Sequence, residues 1–587
     1  MGLTYALLYM GRYNLTVAKT SLGDLMTKED FGVIFAAGTV TYALAFLVNG
    51  PLIDRIGGRR GILLASSGAA VANFGLGAYL MYVLGAPDPN QEPLRLVFSL
   101  MYAVNMYFQS FGAVSIVKVN AHWFHVRERG GFSGIFGTMI SSGIFLAFTV
   151  NGWILDSVSA AWPTERLQWI VFFVPGALLA TFFAVELFLL RDRPSLAGHT
   201  DFDTGDASSG DSNDEPVPPL TLLGRILTHP IIITVAFIEF CTGVLRNGVM
   251  HWFPIYAREV WVLPREHLLV NGSWEHAWLI GACFGVAAVS WILASRLRGG
   301  RRGFLVVMGA LAALAPFVQA GWGGLLFVAG VIGGNVAGWV SDLFFQSRRA
   351  PTAGGLYLLL TVCAVAMIFL LAKPGNEVEW AGEGSGLRPG DRVIELAGEP
   401  IAGWEDVRRA AACWPAECEA SRWNADDCVC STAGDLEVDP GLVASQGTIP
   451  AVLERDGARL AIDLPDPKQV QRAGDKRRLD ARPVLPISPF FLGAIVFLVS
   501  LGVIGTHGLL SGTATMDFGG RKGAATAVGV IDGFVYLGTA LQSVSLGFLT
   551  GRNWTYWPIF LVPFGILGFV LLLRIWNAKP APKGGGH

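Results

Sequence analysis

The chain has 587 residues, of which 52% are hydrophobic and only 15% charged. A soluble chain carries about 25% charged residues, so the composition excludes an ordinary water-soluble protein and makes a lipid bilayer the expected surroundings. The net charge of −2 gives no basis for a nucleic-acid partner.

A helix that crosses a bilayer needs about 20 mostly apolar residues. Taken in order, the predicted spans are 2–22, 31–53, 61–84, 95–117, 131–153, 167–190, 230–256, 275–295, 303–320, 322–343, 353–372, 488–510, 524–549 and 555–576. Cytoplasmic loops carry an excess of Lys and Arg. One set of loops holds Arg55, Arg59 and Arg60; Arg127 and Arg129; Arg191 and Arg193; Arg296 to Arg302; Arg348 and Arg349; and Arg521 with Lys522. The opposite short loops hold only scattered positives, such as Lys28, Arg95, Arg166 and Arg552. Both termini are therefore expected in the cytoplasm.

Two polar segments divide the chain into a bundle at 1–193, an acidic linker at 194–228, a second bundle at 229–373 that resumes at 487–578, and an insert at 374–486. The linker is rich in Asp, Pro and Ser and cannot bury a core, so it is expected to be disordered. The insert falls on the extracytoplasmic side.

The two bundles resemble each other. Arg12 lies in the opening span of the first and Arg246 in the opening span of the second. Asp54 follows Arg12 by 42 residues, and Asp342 follows Arg246 by 96. The longer interval has room for one extra helical hairpin, at about 275–320. Repeats of this kind place a substrate site between the halves, near the bilayer midplane.

A charged side chain inside a span costs roughly 2.5–3.5 kcal/mol or more, so it faces a cavity or a partner. Arg12 and Arg246 can converge on one anion, which a guanidinium grips with two parallel hydrogen bonds. Tyr13, Asn14 and His251 stand close enough in sequence to help. Glu239, seven residues before Arg246, and Asp532 are candidate counter-ions or carriers of a coupling proton, and His507 and Lys19 join that set. The bland alternative is that each arginine is neutralised by an intramembrane acid. No phosphate-binding loop, metal-ligand cluster or catalytic constellation is evident, so neither enzyme activity nor a cofactor is expected.

The loop from Gly50 through Asp54, Arg55, Arg59 and Arg60 resembles the G-x-x-x-D-R-x-G-R-R signature of the major facilitator superfamily. That resemblance implies an all-α fold of two bundles, with Gly50, Asp54, Arg55, Arg59, Arg60 and the matching Asp342 as a conformational latch. A finer resemblance is to the organophosphate:phosphate antiporters, which include the glycerol-3-phosphate and hexose-phosphate transporters. It is carried by Arg12-Tyr13-Asn14, by His122-Trp123-Phe124 with Glu128-Arg129-Gly130-Gly131, by Leu245-Arg246-Asn247-Gly248 with Trp252 and Pro254, and by Tyr536-Leu537-Gly538. It implies secondary transport of a small phosphorylated or other organic anion, arginines on the phosphate, and inorganic phosphate or a proton as coupling ion, in a bacterial inner membrane. The chain departs from the glycerol-3-phosphate type at Tyr13, Phe46 and Ile140, where that type has Lys, Lys and His. Some members of the group resemble receptors, so a membrane sensor is the alternative.

In the insert, Ser385-Gly386-Leu387-Arg388-Pro389-Gly390-Asp391 leads into a strand, a Gly turn and a helix. Further on, 451–460 reads as a hairpin with an Asp-Gly turn. The whole resembles a bacterial PDZ domain, a small α+β fold that binds peptide ends by strand addition, which implies a periplasmic peptide or protein partner. Cys413, Cys418, Cys428 and Cys430 crowd the middle of the insert; disulfides in any of three pairings are open to them, with a zinc site as the alternative, although Cys428-Val429-Cys430 is not a usual zinc spacing.

Overall fold

A computed structural model describes the chain apart from residues 88, 90–91, 124–137, 163–164, 201–223, 225–226, 274–276, 299, 346–347, 372, 413–447, 466–478, 511–514 and 578–587. The linker's acidic run, the motif at 128–131, and Cys413, Cys418, Cys428 and Cys430 lie outside the described residues. So do the side chains of Asp54, Arg55 and Asp342.

The first bundle comprises α1 (Gly2–Leu22), α2 (Lys28–Ile56), α3 (Gly58–Gly85), α4 (Leu94–Trp123), α5 (Thr138–Ala161) and α6 (Ile170–Leu189). The second opens with α7 (Pro230–Met250) and its continuation α8 (Trp252–Glu259). The expected extra hairpin follows as α9 (Ala277–Ser295) and α10 (Gly300–Val318), and then come α11 (Gly321–Phe345) and α12 (Arg349–Leu370). After the insert, α14 (Pro489–His507), α15 (Thr515–Arg552) and α16 (Tyr556–Arg574) complete it. Among the described residues, 12 helices are long and apolar enough to cross a bilayer. The helices α1 and α4 complete the fourteen expected spans in length, but α1 carries Arg12, Asn14 and Lys19, and α4 carries Asn105 and Gln109.

Local sequence explains the helix ends. Thr27 and Asp30 cap α2 reciprocally, each side chain taking the other's backbone N–H, which satisfies two donors that a helix start leaves open. Between the halves, α2 runs along α15, which also packs closely on α7. That second contact needs glycine on both helices: a Cβ at Gly243 would strike the Val535 carbonyl, and one at Gly538 the Phe240 carbonyl. Small residues of this kind let helix backbones approach where lipid supplies no hydrophobic drive. The hairpin α9–α10 packs chiefly on itself, with α10 touching α11. Its Trp278, Phe284, Val289, Phe304 and Leu311 face outward, as suits a surface bathed in acyl chains.

The insert folds as two small antiparallel sheets and a helix. Strands β1 (Val378–Ala381) and β6 (Ala481–Pro483) pair, and β2 (Arg392–Leu396), β3 (Glu399–Pro400), β4 (Thr448–Arg455) and β5 (Ala458–Pro465) form a sheet in the order β3-β2-β4-β5. Helix α13 (Trp404–Ala412) lies between β3 and β4 in sequence. The hairpin turns at Asp456-Gly457, with φ of 52° and 78°, the positive pair that a two-residue hairpin requires. Asp391 is buried and accepts two bonds from Arg455, each of 2.7 Å, and one from the Arg388 N–H, also 2.7 Å. This carboxylate ties the Gly-Leu-Arg-Pro-Gly-Asp loop to the end of β4. The domain core of Val393, Leu396, Trp404, Ile449 and Leu453 also takes in Val262, which belongs to the segment just after α8.

Candidate functional site

The site is built on α1 and α7, the first helix of each half. Arg12 is fully buried and spends three donors on neutral acceptors. Its Nε donates to Gln109 Oε1 at 2.8 Å, one terminal nitrogen to the Tyr536 hydroxyl at 2.8 Å and the other to the Tyr42 hydroxyl at 3.0 Å. The guanidinium also lies over the rings of Tyr9 and Tyr42, 4.6 and 4.5 Å from their centroids, where ring quadrupoles favour a cation.

An amide relay holds this helix turn. Tyr102 donates to the Arg12 carbonyl, and Asn73 and Asn105 both donate to the Gly11 carbonyl. Gln109, bonded in turn to Asn105, presents its oxygen to Arg12. The polar residues of α4 thus serve to position Arg12.

Arg246 is buried with its Nε and one terminal nitrogen lacking any hydrogen-bond partner. Among the described residues, no carboxylate lies within ion-pairing distance of Arg12 or Arg246. Tyr9, Tyr13 and Tyr536 neighbour both guanidiniums, so the two arginines share one buried aromatic cluster, the candidate chamber. The Tyr13 hydroxyl is also without a partner.

His251 closes the chamber. Its Nδ1 meets Thr16 Oγ1 at 2.7 Å, its Nε2 has no partner, and its ring sits against Tyr13, Phe35 and Phe148 at 4.8, 4.6 and 5.6 Å. The chamber therefore gathers Arg12, Tyr13, Arg246 and His251 from the expected set. Asn14 is placed elsewhere: its amide donates to Asn73 Oδ1 and to the Val171 carbonyl, inside the first bundle. The cause is helical geometry, since two residues turn a helix by about 200°. Tyr9, Tyr42 and Gln109 were missed. The signal for Tyr9 was the Tyr5-Tyr9-Tyr13 stripe at four-residue spacing, and that for Gln109 was an amide inside an apolar span.

At the end of the bundle nearest the insert, polar contacts join the two halves. Glu259 on α8 pairs with Lys19 at 3.3 Å and Lys28 at 3.1 Å. Asp156 on α5 pairs with Arg265 at 2.7 Å and accepts from Asn271 at 2.8 Å. Thr149 and Trp153 donate to the carbonyls of Ala320 and Asn271. Lys19 thus belongs to these contacts; it lies on the Arg12 face but two turns further along. A small part-open cleft of about 40 Å³ lies beside these contacts, lined by Thr20, Asp156, Arg258, Arg265 and Trp322 among others.

Glu239 pairs with neither arginine. It is buried on α7, with Oε2 2.7 Å from His507 Nδ1 on α14. Asp532 is half-buried on α15. Of the latch set, Arg59 stays within its own bundle: its N–H donates to Asp192 and its guanidinium to the Leu187 carbonyl, while Arg60 is exposed and Gly50 is an ordinary helical residue. Among the described residues, no cluster of His, Cys, Asp or Glu could hold a metal.

The family profile described as Major Facilitator Superfamily matches residues 1–370. Among curated proteins, the chain is similar to a glycerol-3-phosphate transporter of Bacillus subtilis, with 23% identity over 63% of this chain and 70% of the relative. It is similar to the membrane sensor protein UhpC of Salmonella typhimurium, with 24% identity over 60% and 64%. A probable hexose phosphate transport protein of Chlamydia trachomatis matches at 24% identity over 55% and 69%. Two helical bundles, two matching buried arginines and a profile that covers more than half of the chain agree: this multi-pass membrane protein belongs to the Major Facilitator Superfamily.

Proposed function

We propose that this protein is a secondary transporter that carries a small organic anion, of the phosphorylated class, by alternating access. The observation that carries the reading is the pair of buried guanidiniums, Arg12 and Arg246, which share Tyr9, Tyr13 and Tyr536 and have no carboxylate partner among the described residues. A buried cation without a counter-charge costs several kcal/mol, and an anion in the chamber offsets that cost. Arg12 is already held by three neutral acceptors and serves as a fixed wall. Arg246, with two unused donors, makes the variable contact, and Tyr13 and the His251 Nε2 supply further polar contacts. The relatives' names, with glycerol 3-phosphate and hexose phosphate in them, support the phosphorylated class.

In the cycle, the anion neutralises the arginines and the halves rock about it. The contacts of Glu259 and Asp156 break to open the insert end. The protein sits in a bacterial inner membrane with its termini in the cytoplasm and its PDZ-like insert in the periplasm. Counterflow in proteoliposomes with glycerol 3-phosphate, glucose 6-phosphate and galactonate tests this; exchange of at least one is expected, and none with binding of any refutes it.

A receptor for the same anion is the second reading. It is favoured by the similarity to a protein named as a membrane sensor and by the seating of Val262 in the insert's core. Binding without flux would select it.

A further inference from the structure

We infer that Glu239 and His507 form a proton site that loads together with the anion, so that the carrier is a proton symporter. This deepens the anion-clamp reading above and rests on it.

The geometry sets the pair apart from the chamber. The Glu239 carboxylate is fully buried and meets His507 Nδ1 at 2.7 Å, while its other oxygen has no hydrogen-bond partner. An acid seven residues from Arg246 has thus taken an imidazole as its partner in place of a guanidinium. A guanidinium stays charged and would fix the carboxylate as an anion. An imidazole exchanges its proton near neutral pH. The pair therefore has two accessible states, one of charge −1 and one of charge zero that holds a single shared proton. A carrier that only exchanges one anion for another has no use for such a pair, and a buried amide would cost less.

The surroundings couple that proton to the anion. Arg246 and Cys241 face the pair from α7, Tyr357 from α12, Tyr9 from α1 and Asp532 from α15. Arg246 lies two helical turns from Glu239 on the same helix, and its positive charge opposes a further positive charge at the pair. An anion on Arg246 removes that opposition, so the bound anion promotes proton uptake. By linkage the bound proton strengthens anion binding by the same factor.

Access fits as well. The carboxylate is wholly enclosed, but the imidazole side chain is 22% exposed. His507 ends α14, eighteen residues or about 27 Å along the helix from its start at the insert. It lies away from the end where Glu259 and Asp156 join the halves. A proton taken up with the anion at one membrane face leaves through the imidazole at the other, and no further reactant is needed.

Purified full-length protein in nanodiscs would be titrated with galactonate, glycerol 3-phosphate, glucose 6-phosphate and inorganic phosphate between pH 5.5 and 8.5. Galactonate keeps its charge throughout, so it isolates titration of the protein. Wild-type affinity is expected to weaken about tenfold per pH unit above the midpoint of the pair. In proteoliposomes, accumulation is expected to rise about tenfold per unit of an inside-alkaline gradient. Glu239→Gln is expected to flatten the pH slope, and His507→Gln, a check against misfolding of the first variant, to move its midpoint. Binding that is independent of pH in the wild type, accumulation indifferent to the gradient, or an unshifted slope in both variants overturns the proton site. Binding of no probe at any pH overturns the anion-clamp reading itself.

Discussion

Replacing Arg246 with lysine separates charge from geometry. The variant keeps one positive charge at a buried position but loses the planar fork. The structure leaves Nε and one terminal nitrogen of Arg246 without partners, and those two donors are the ones an anion can engage side by side. A hydrogen bond to a charged group contributes about 1.5–3 kcal/mol. An ammonium on a flexible stem recovers one of the two. The expected loss is one such bond, or roughly a 10- to 150-fold weaker affinity. Isothermal titration or a ligand-induced thermal shift on the detergent-purified protein would measure it, with size-exclusion behaviour as the check on folding. Arg246→Met should go further: ligand binding disappears, while the ligand-free protein becomes more stable because an uncompensated buried charge is gone. A well-folded Arg246→Lys protein with affinity within threefold of the wild type would refute the two-donor argument.

Three further outcomes follow from other contacts. Gln109→Leu leaves the Arg12 Nε without its acceptor; it should lower the unliganded melting temperature by an amount equivalent to about 1–3 kcal/mol and reduce uptake. Glu259→Gln breaks the pairs with Lys19 and Lys28 together, and should raise the rate at which a cysteine placed at Thr20 reacts with a membrane-impermeant thiol reagent by roughly 5- to 30-fold, given about 0.5–1 kcal/mol for each of the two pairs. In the insert, burial alone would raise the carboxyl of Asp391, but bonds from Arg455 and the Arg388 N–H outweigh it and hold the group below the usual carboxylate range. Stability from that carboxylate is therefore fully present above about pH 4 and lost as pH falls through its lowered value. Hydrogen exchange across 378–396 should show this acid-dependent loosening in the wild type, and Asp391→Asn should show it already at pH 7.

Much of the architecture could be read from hydropathy and charge, because a bilayer imposes one length and one composition on every span. The extra hairpin followed from the unequal spacing around Arg12 and Arg246. The Asp456-Gly457 turn followed from the residues that a tight hairpin accepts. Partnerships across the fold were not legible. Nothing local ties Glu239 to His507, 268 residues away, or Arg12 to Tyr536. Asn14 was expected beside Arg12 because the two are close in sequence; the helix instead turns it to Asn73. Lys19 was expected among the counter-ions or coupling groups; it lies on the Arg12 face, and its rise along the helix brings it to Glu259.

Val262 has a φ of 55°, a conformation that a β-branched residue adopts only under constraint, and its burial in the insert's core supplies that constraint. Eleven residues upstream, His251 touches the chamber, and Glu259 lies between them. The segment from 251 to 262 thus runs from the aromatic cluster around the arginines, past the Glu259 ion pairs, to the core of the insert. Under the alternating-access reading, movement of α8 would be carried to the insert through Val262. A fluorophore pair placed on the insert and on the α1–α2 turn would let the transport cycle be watched from outside the membrane, with no label near the substrate.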